Sequence, residues 1–410
     1  MFKKSKMTAK LKFEQLKFIR LDGKTKVIFL KWFYFEIPNS ELEKIGKYKL
    51  RKYSITFETS KKRAIHKFNL LINRGLTQLK SVLHNKNTIY IHKNSGIPLI
   101  GTNYFGLVDR GTNLIEIKPV TGCNLNCIYC SISEGINKKT YDFLVELDYL
   151  VEEFKKLAAI KKHPVEAHIN AHGESLLYAE IVDLVEELRK IKNVETISIN
   201  TNGLLLTEGL IDQLIKAGLD RLNISLNAIN EELCRKLADA PYNLKHLKRI
   251  LAYTATKDLD IIIAPILLPG FNEDLTELIE YSIKTIKRKQ KVPKLGIQNF
   301  LEYSLGRKPT KQLPWNLFYK ELKNWEEHYK VKLILNPNDF GIVKDKTLKK
   351  PFKKDQIITA TIICNGRYPN ERLAIAKDRL ISVRCNKKTG RKVRIKITRS
   401  KHNVFTGTLS

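Results

Sequence analysis

Three cysteines in one short loop constrain this chain more than any other feature. Residues 115–135 read IEIKPVTGCNLNCIYCSISEG, with Cys123, Cys127 and Cys130 in C-x-x-x-C-x-x-C spacing. The run Leu114-Ile115-Glu116-Ile117-Lys118-Pro119-Val120 just before them alternates in polarity and predicts a short strand, stopped by Thr121-Gly122. The cysteines then lie on a loop at the C-terminal end of a strand, where ligands bind in parallel α/β folds. Closely spaced thiolates suit an iron–sulfur cluster, and a [4Fe–4S] cubane with three protein ligands keeps one iron open. A structural zinc site is the rival reading. Zinc wants a fourth Cys or His nearby, and none lies between Gly111 and Lys161.

Downstream the pattern repeats strand, loop, helix. Val165–Asn170, Val194–Asn200, Arg221–Leu226, Asp260–Leu267 and Leu295–Phe300 read as strands, making six with the first. Ile181, Leu184, Val185, Leu188 and Ile191 share one helical face. Further helices are predicted near Thr207–Ala217 and onward through Thr254 with a break at Pro241, and over Pro314–Lys330, with a closing strand at Val331–Leu335. This alternation predicts an α/β fold with a parallel sheet, either an open barrel or a doubly wound sheet.

With these residues in place, the chain resembles the radical S-adenosylmethionine (SAM) superfamily over roughly 111–300. The resemblance implies a partial (β/α)6 barrel and two cofactors, a [4Fe–4S] cluster on Cys123, Cys127 and Cys130, and SAM on the open iron. One-electron cleavage of SAM there gives a 5′-deoxyadenosyl radical that abstracts a substrate hydrogen. Residue by residue, the resemblance puts Tyr129 beside the SAM adenine. His172-Gly173-Glu174 matches the glycine–glycine–glutamate motif, with His172 in place of the first glycine and Glu174 on the SAM amino group. Asn200-Thr201-Asn202-Gly203 is similar to the family's T-N-G turn, so Asn200 and Asn202 are candidate SAM contacts. Ser225-Leu226-Asn227 is similar to its S-L-D pattern with Asn227 for Asp, placing Ser225 and Asn227 near the SAM ribose or carboxylate. Ile266 falls in the adenine-contact region. The core most resembles the branch containing the molybdopterin-precursor GTP cyclase. It lacks the second three-cysteine set of that cyclase, since Cys234, Cys364 and Cys385 are scattered. An electron donor such as a ferredoxin or flavodoxin is implied as a partner. Gln298-Asn299-Phe300, Tyr303, Arg307 and Lys308 are candidate substrate contacts at the barrel mouth.

Charge divides the chain in three. Residues 1–110 carry 24 basic and 7 acidic side chains, 341–410 carry 19 and 4, and the middle carries 31 of each. Confinement of the excess to the flanks points to a polyanion partner, most simply RNA. Residues 1–110 are expected to form a basic α+β domain, with one or two strands over Lys26–Glu36. Lys61-Lys62-Arg63 near Tyr53, Phe57 and Phe68 gives a basic and aromatic mixture that suits single-stranded nucleic acid or a small core equally. Residues 111–340 form the barrel. After a basic linker, 352–410 shows five short strand patterns and predicts a small OB-like β-barrel. Its Gly366-Arg-Tyr-Pro-Asn-Glu-Arg-Leu and Arg391-Lys-Val-Arg-Ile-Lys-Ile stretches resemble a TRAM domain, an RNA-binding module.

Six cysteines with three in one loop argue for a reducing cytoplasm. The start, MFKKSKMTAKLKFEQ, lacks a secretory apolar core, and no apolar run has the length of a membrane span. The expected activity is radical modification of an RNA nucleoside, with tRNA the leading substrate. The rivals are a radical SAM enzyme for a small metabolite or protein side chain, and a non-catalytic iron–sulfur RNA binder. As a detachable RNA grip, 352–410 should be removable without loss of SAM cleavage.

Overall fold

Alternation of side chains along each strand builds a sheet with one apolar and one polar face. In the computed structural model, which describes residues 7–134 and 139–410, Ile115, Ala167 and Ile197 lie side by side across three parallel strands. One residue further along, Glu116, His168 and Ser198 form a row on the opposite face. The full sheet runs Asp260–Ile263, Arg221–Ile224, Val194–Thr201, Val165–Ile169, Leu114–Lys118 and Gly106–Asp109. All neighbours are parallel except the last pair. The sheet curls into a half-barrel.

Consecutive helices Leu147–Ala158, Ile181–Arg189, Glu208–Ala217 and Leu244–Ala255 pack in sequence along the barrel. Polar residues cap Glu208–Ala217, Glu231–Ala238 and Leu244–Ala255: Thr207, Asn230 and Asn243 accept from the amides of Leu210, Leu233 and His246. The expected break at Pro241 separates Glu231–Ala238 from Leu244–Ala255. The polar face inside the barrel is cross-linked. Ser198 Oγ donates to Glu166 at 2.6 Å, Arg221 pairs with the same carboxylate, and Asn223 Nδ2 donates to Asn200 Oδ1 at 2.8 Å.

Three expected strands come out differently, the first being Asp260–Leu267, which divides into Asp260–Ile263 in the barrel sheet and Ile266–Leu267 outside it. Of Leu295–Phe300 only Gln298–Asn299 is a strand, paired in parallel with Ile266–Leu267, with a single bridge from Leu295 to Ile263. Val331–Leu335 is no strand. Its Leu333 and Ile334 amides donate to Glu326 Oε1 at 2.6 and 2.7 Å, so a helix side chain takes the donors that a neighbouring strand would need.

The N-terminal flank holds a six-stranded sheet and a three-stranded sheet beside the helix Lys61–Leu76. Over Lys26–Glu36, where one or two strands were expected, Lys24–Phe29 and Phe33–Pro38 are two strands paired antiparallel. Phe57 and Phe68 are fully buried core and pack against each other at 5.9 Å, while Tyr53 is exposed. The borders drawn at 110 and 111 are crossed twice by pairing. Gly106–Asp109 joins the barrel sheet, and Tyr141–Val145, between the cysteine loop and the second barrel strand, joins the N-terminal one beside Asn87–Ile91.

Residues 357–409 form a closed five-stranded barrel. Residues 1–6 of the N-terminal region and Gly135 of the cysteine stretch lie outside the described residues. Among the described residues no helix is long and apolar enough to cross a membrane.

Candidate functional site

The strand Leu114–Lys118 delivers the chain to Thr121–Gly122, which pairs in parallel with His172–Gly173 at the end of the next barrel strand. The two glycines touch. Gly173 sits at φ +144°, and a Cβ on it would lie 1.9 Å from the Gly122 carbonyl oxygen. Only glycine allows this approach. The cysteine loop and the His172–Glu174 turn are thereby pinned to one edge of the barrel mouth.

Cys123, Cys127 and Cys130 line a cavity of about 360 Å³. Tyr129, Glu174, Asn200, Asn202, Ser225 and Ile266 line the same cavity, as do Gln298, Phe300 and Tyr303. Asn227 stands behind it, donating to the Tyr129 hydroxyl at 2.5 Å and accepting from the Ile266 amide at 2.8 Å. Thus the ten metal and cofactor candidates read from the sequence are brought to one place, nine at the wall and Asn227 one layer out, whereas Arg307 and Lys308 do not line the cavity. Cys234 is buried in a helix, donating to the Ala228 carbonyl, and Cys364 and Cys385 belong to the C-terminal barrel.

Glu174 is fully enclosed. Its carboxylate accepts from Leu176 N at 2.9 Å, Thr201 Oγ at 2.6 Å and Asn202 N at 2.8 Å. Burial raises its pKa against these three bonds. Burial also pushes the Cys123 thiol well up and the Cys127 thiol to about 11, the latter opposed by the Tyr129 hydroxyl. Thiolates here need a positive charge beside them, which bound iron provides. Among the described residues no three His, Cys, Asp or Glu side chains converge on a single-ion site. The ligands of a cubane bind separate irons, so three cysteines lining one cavity suit it.

The loop is held from several sides that the sequence did not reveal. His84, from the N-terminal flank, bonds the Cys123 carbonyl through Nε2 at 2.8 Å. Arg307 N donates to the Cys130 carbonyl at 3.0 Å, and its guanidinium pairs with Asp239 at 2.9 Å. Arg307, a candidate for substrate, is therefore committed to the loop. Glu134 N donates to Cys130 Sγ at 3.4 Å. The one visible signal for this network was His172 standing in a glycine position.

His172 is buried, and Arg367 Nη1 lies 3.3 Å from its Nδ1. Glu134 Oε2 stands 3.4 Å from the same nitrogen, so Nδ1 faces both a donor and a carboxylate. Burial and then the repulsion of Arg367 lower the His172 pKa to about 4, Glu134 acting in the opposite sense. The unfolded imidazole, with its ordinary value of about 6.5, therefore binds a proton in a window where the folded one does not. Stability from this residue is complete above about pH 6.5 and is lost as pH falls toward 4, in total about 3 kcal/mol. Between those limits, thermal melts of the native protein should fall more steeply with acidification than those of His172→Asn.

A family model of the radical SAM superfamily matches residues 117–281. An uncharacterised protein of Methanocaldococcus jannaschii is 38% identical over 403 residues, covering 91% of this chain and 92% of its own. The GTP 3′,8-cyclase of Limosilactobacillus fermentum is 31% identical over 175 residues, covering 42% of this chain. The match spans 52% of that cyclase, so the likeness concerns about half its length. Among solved structures, TYW1 with a lysine–pyruvate adduct bound is 18% identical, with a TM-score of 0.41 over 55% of this chain and 76% of the other. With the three-cysteine loop, the half-barrel and the family match agreeing, the chain carries a radical SAM superfamily domain, that of enzymes that work with a [4Fe–4S] cluster and S-adenosylmethionine.

Proposed function

We propose that this enzyme modifies a nucleoside in RNA, with tRNA the leading substrate. The observation that carries the reading is the distribution of charge: a neutral barrel between flanks of +17 and +15. In the C-terminal barrel the strand Lys392–Arg399 turns Val393, Ile395 and Ile397 inward, leaving Lys392, Arg394 and Lys396 exposed on the other face. Alternate residues on a strand repeat at about 6.7 Å, a spacing that suits the phosphates of an extended nucleic-acid strand. The TRAM-like reading of this barrel as an RNA grip rests on the same stripe.

In the pocket, Cys123, Cys127 and Cys130 would each hold one iron. Three of about four lone-pair sites on the Glu174 carboxylate are occupied. The remaining site can accept from the SAM ammonium in a charge-assisted bond. Ser225, Asn200 and Asn202 offer short polar groups for the ribose and carboxylate. Tyr129 and Ile266 would flank the adenine, both positioned by Asn227. When bound, the cluster and SAM supply hydrogen-atom abstraction from an unactivated C–H bond. The chain supplies placement and an enclosed pocket. Electrons would come from a ferredoxin or flavodoxin in a reducing cytoplasm.

Binding of tRNA should weaken steeply with salt. Replacing Lys392, Arg394 and Lys396 together by alanine should lower the slope of log K against log[salt] by about 2 to 3. Nucleoside mass spectra of tRNA and rRNA from a deletion strain and its parent test the activity directly. Identical spectra, with salt-insensitive tRNA binding, would return the enzyme to a small-molecule or peptide substrate.

A further inference from the structure

The C-terminal barrel does more than carry charge. The loop after its first strand inserts Arg367 fully buried, the largest completely enclosed side chain among the described residues. Arg367 Nη2 donates to Glu134 Oε1 at 2.6 Å and to Asp142 Oδ1 at 3.2 Å, while Nη1 meets His172. Its carbonyl accepts from Thr140 N at 2.8 Å. Lys139 Nζ closes the network on Glu134 Oε2 at 2.6 Å. Glu134 lies four residues after Cys130, and its own amide donates to the Cys130 sulfur. Burial works against ionisation of Glu134, but Arg367, His172 and Lys139 overcome it and hold its carboxyl well below the usual carboxylate range.

We propose that Arg367 is a positioning residue for the iron–sulfur cluster, holding Glu134 so that its backbone N–H stays directed at Cys130 Sγ. This inference stands apart from the RNA reading and uses only the family's cluster. Hydrogen bonds to cluster sulfurs and nearby charge set how readily a cluster is reduced, and outer partners of metal ligands govern how firmly the metal is held. Removing the guanidinium takes away a positive charge, frees the donor to Cys130 and leaves the Glu134 carboxylate with only Lys139 and His172. All three changes disfavour the reduced cluster. The network also alters what truncation does: loss of 352–410 removes Arg367, so iron retention should fail with it, contrary to the expectation of a detachable module.

The test uses the full chain reconstituted anaerobically with iron and sulfide, comparing Arg367→Met, Arg367→Lys, Glu134→Gln and Tyr104→Phe. The Tyr104 hydroxyl donates to Glu371 Oε1 at 2.7 Å at the same domain contact, and its ring packs against His172 at 5.4 Å, a contact that phenylalanine keeps. The readouts are the rate of iron loss to a chelator and the cluster midpoint potential followed by electron paramagnetic resonance. Arg367→Met should lose iron at least about tenfold faster and show a more negative midpoint. Arg367→Lys should recover part of both. Glu134→Gln, which leaves the barrel contact packed, should also release iron faster, and it decides the matter if Arg367→Met does not fold. Tyr104→Phe should behave as native. Native iron retention in Glu134→Gln, or equal labilisation by Tyr104→Phe, would reduce Arg367 to an ordinary packing contact and overturn the proposal.

Discussion

Cys127→Ala is expected to lose bound iron and reductive cleavage of SAM to background while keeping its circular dichroism spectrum. Cys123→Ala and Cys130→Ala should do the same. The three thiols share one cavity wall, and the remaining cysteines stand elsewhere, so no neighbour can substitute. The fold should survive because the loop backbone is fixed independently. Asn126 N and Ile128 N each donate at 3.0 Å to the carbonyls of Ala238 and Leu237, and Arg307 and His84 hold Cys130 and Cys123 by their carbonyls. Anaerobic iron analysis with detection of 5′-deoxyadenosine after dithionite decides it. A variant with native iron content and turnover would remove these cysteines from the site. Binding of tRNA by the same variants should remain, since the basic flanks do not depend on the thiols.

Gly173→Ala should be nearly as damaging, for a reason of backbone rather than chemistry. Its methyl would stand 1.9 Å from the Gly122 carbonyl oxygen and would be held at φ +144°. Overpacking of this kind costs about 1–3 kcal/mol, and a residue confined to a glycine-only backbone region about as much again. The total, on the order of 4 kcal/mol, is comparable with the whole stability of many domains. The cheapest relief is to part the Thr121–Gly122 and His172–Gly173 strands, which displaces Cys123 and Glu174 from each other. The variant should therefore melt well below the native protein and bind SAM weakly even where it remains folded. An alanine variant with native melting temperature and SAM affinity would show that the two glycines need not touch. Gly270, whose Cβ would meet nothing within 4 Å, is the matched control at positive φ.

The barrel was legible because its instructions are local. Apolar alternation in Ile115–Ile117 and the 3.6-residue stripe of Ile181, Leu184, Val185 and Leu188 are written in consecutive residues; burial followed the helical stripe, while in the strand Glu116 and Lys118 are buried together with Ile115 and Ile117. Failures occurred where partners are distant. Val331–Leu335 has strand composition, but Glu326 claims its amides. Phe57 and Phe68 read equally as base-stacking or core residues until packing enclosed them. The same holds at the site. Spacing of the cysteines made Cys123, Cys127 and Cys130 candidates, and the resemblance of the turn after the second strand added Glu174, whereas Arg307 was assigned to substrate because its guanidinium was visible and Asp239 was not.

From the sequence alone came the candidate cluster cysteines, the sheet-forming segments and the confinement of charge to the ends, because each depends on residue type and short-range periodicity. Tertiary structure alone decided that Arg367, 233 positions from Glu134, reaches the cluster loop. A buried guanidinium and carboxylate attract through space with no trace in local pattern, and only the folded chain brings them within hydrogen-bond distance.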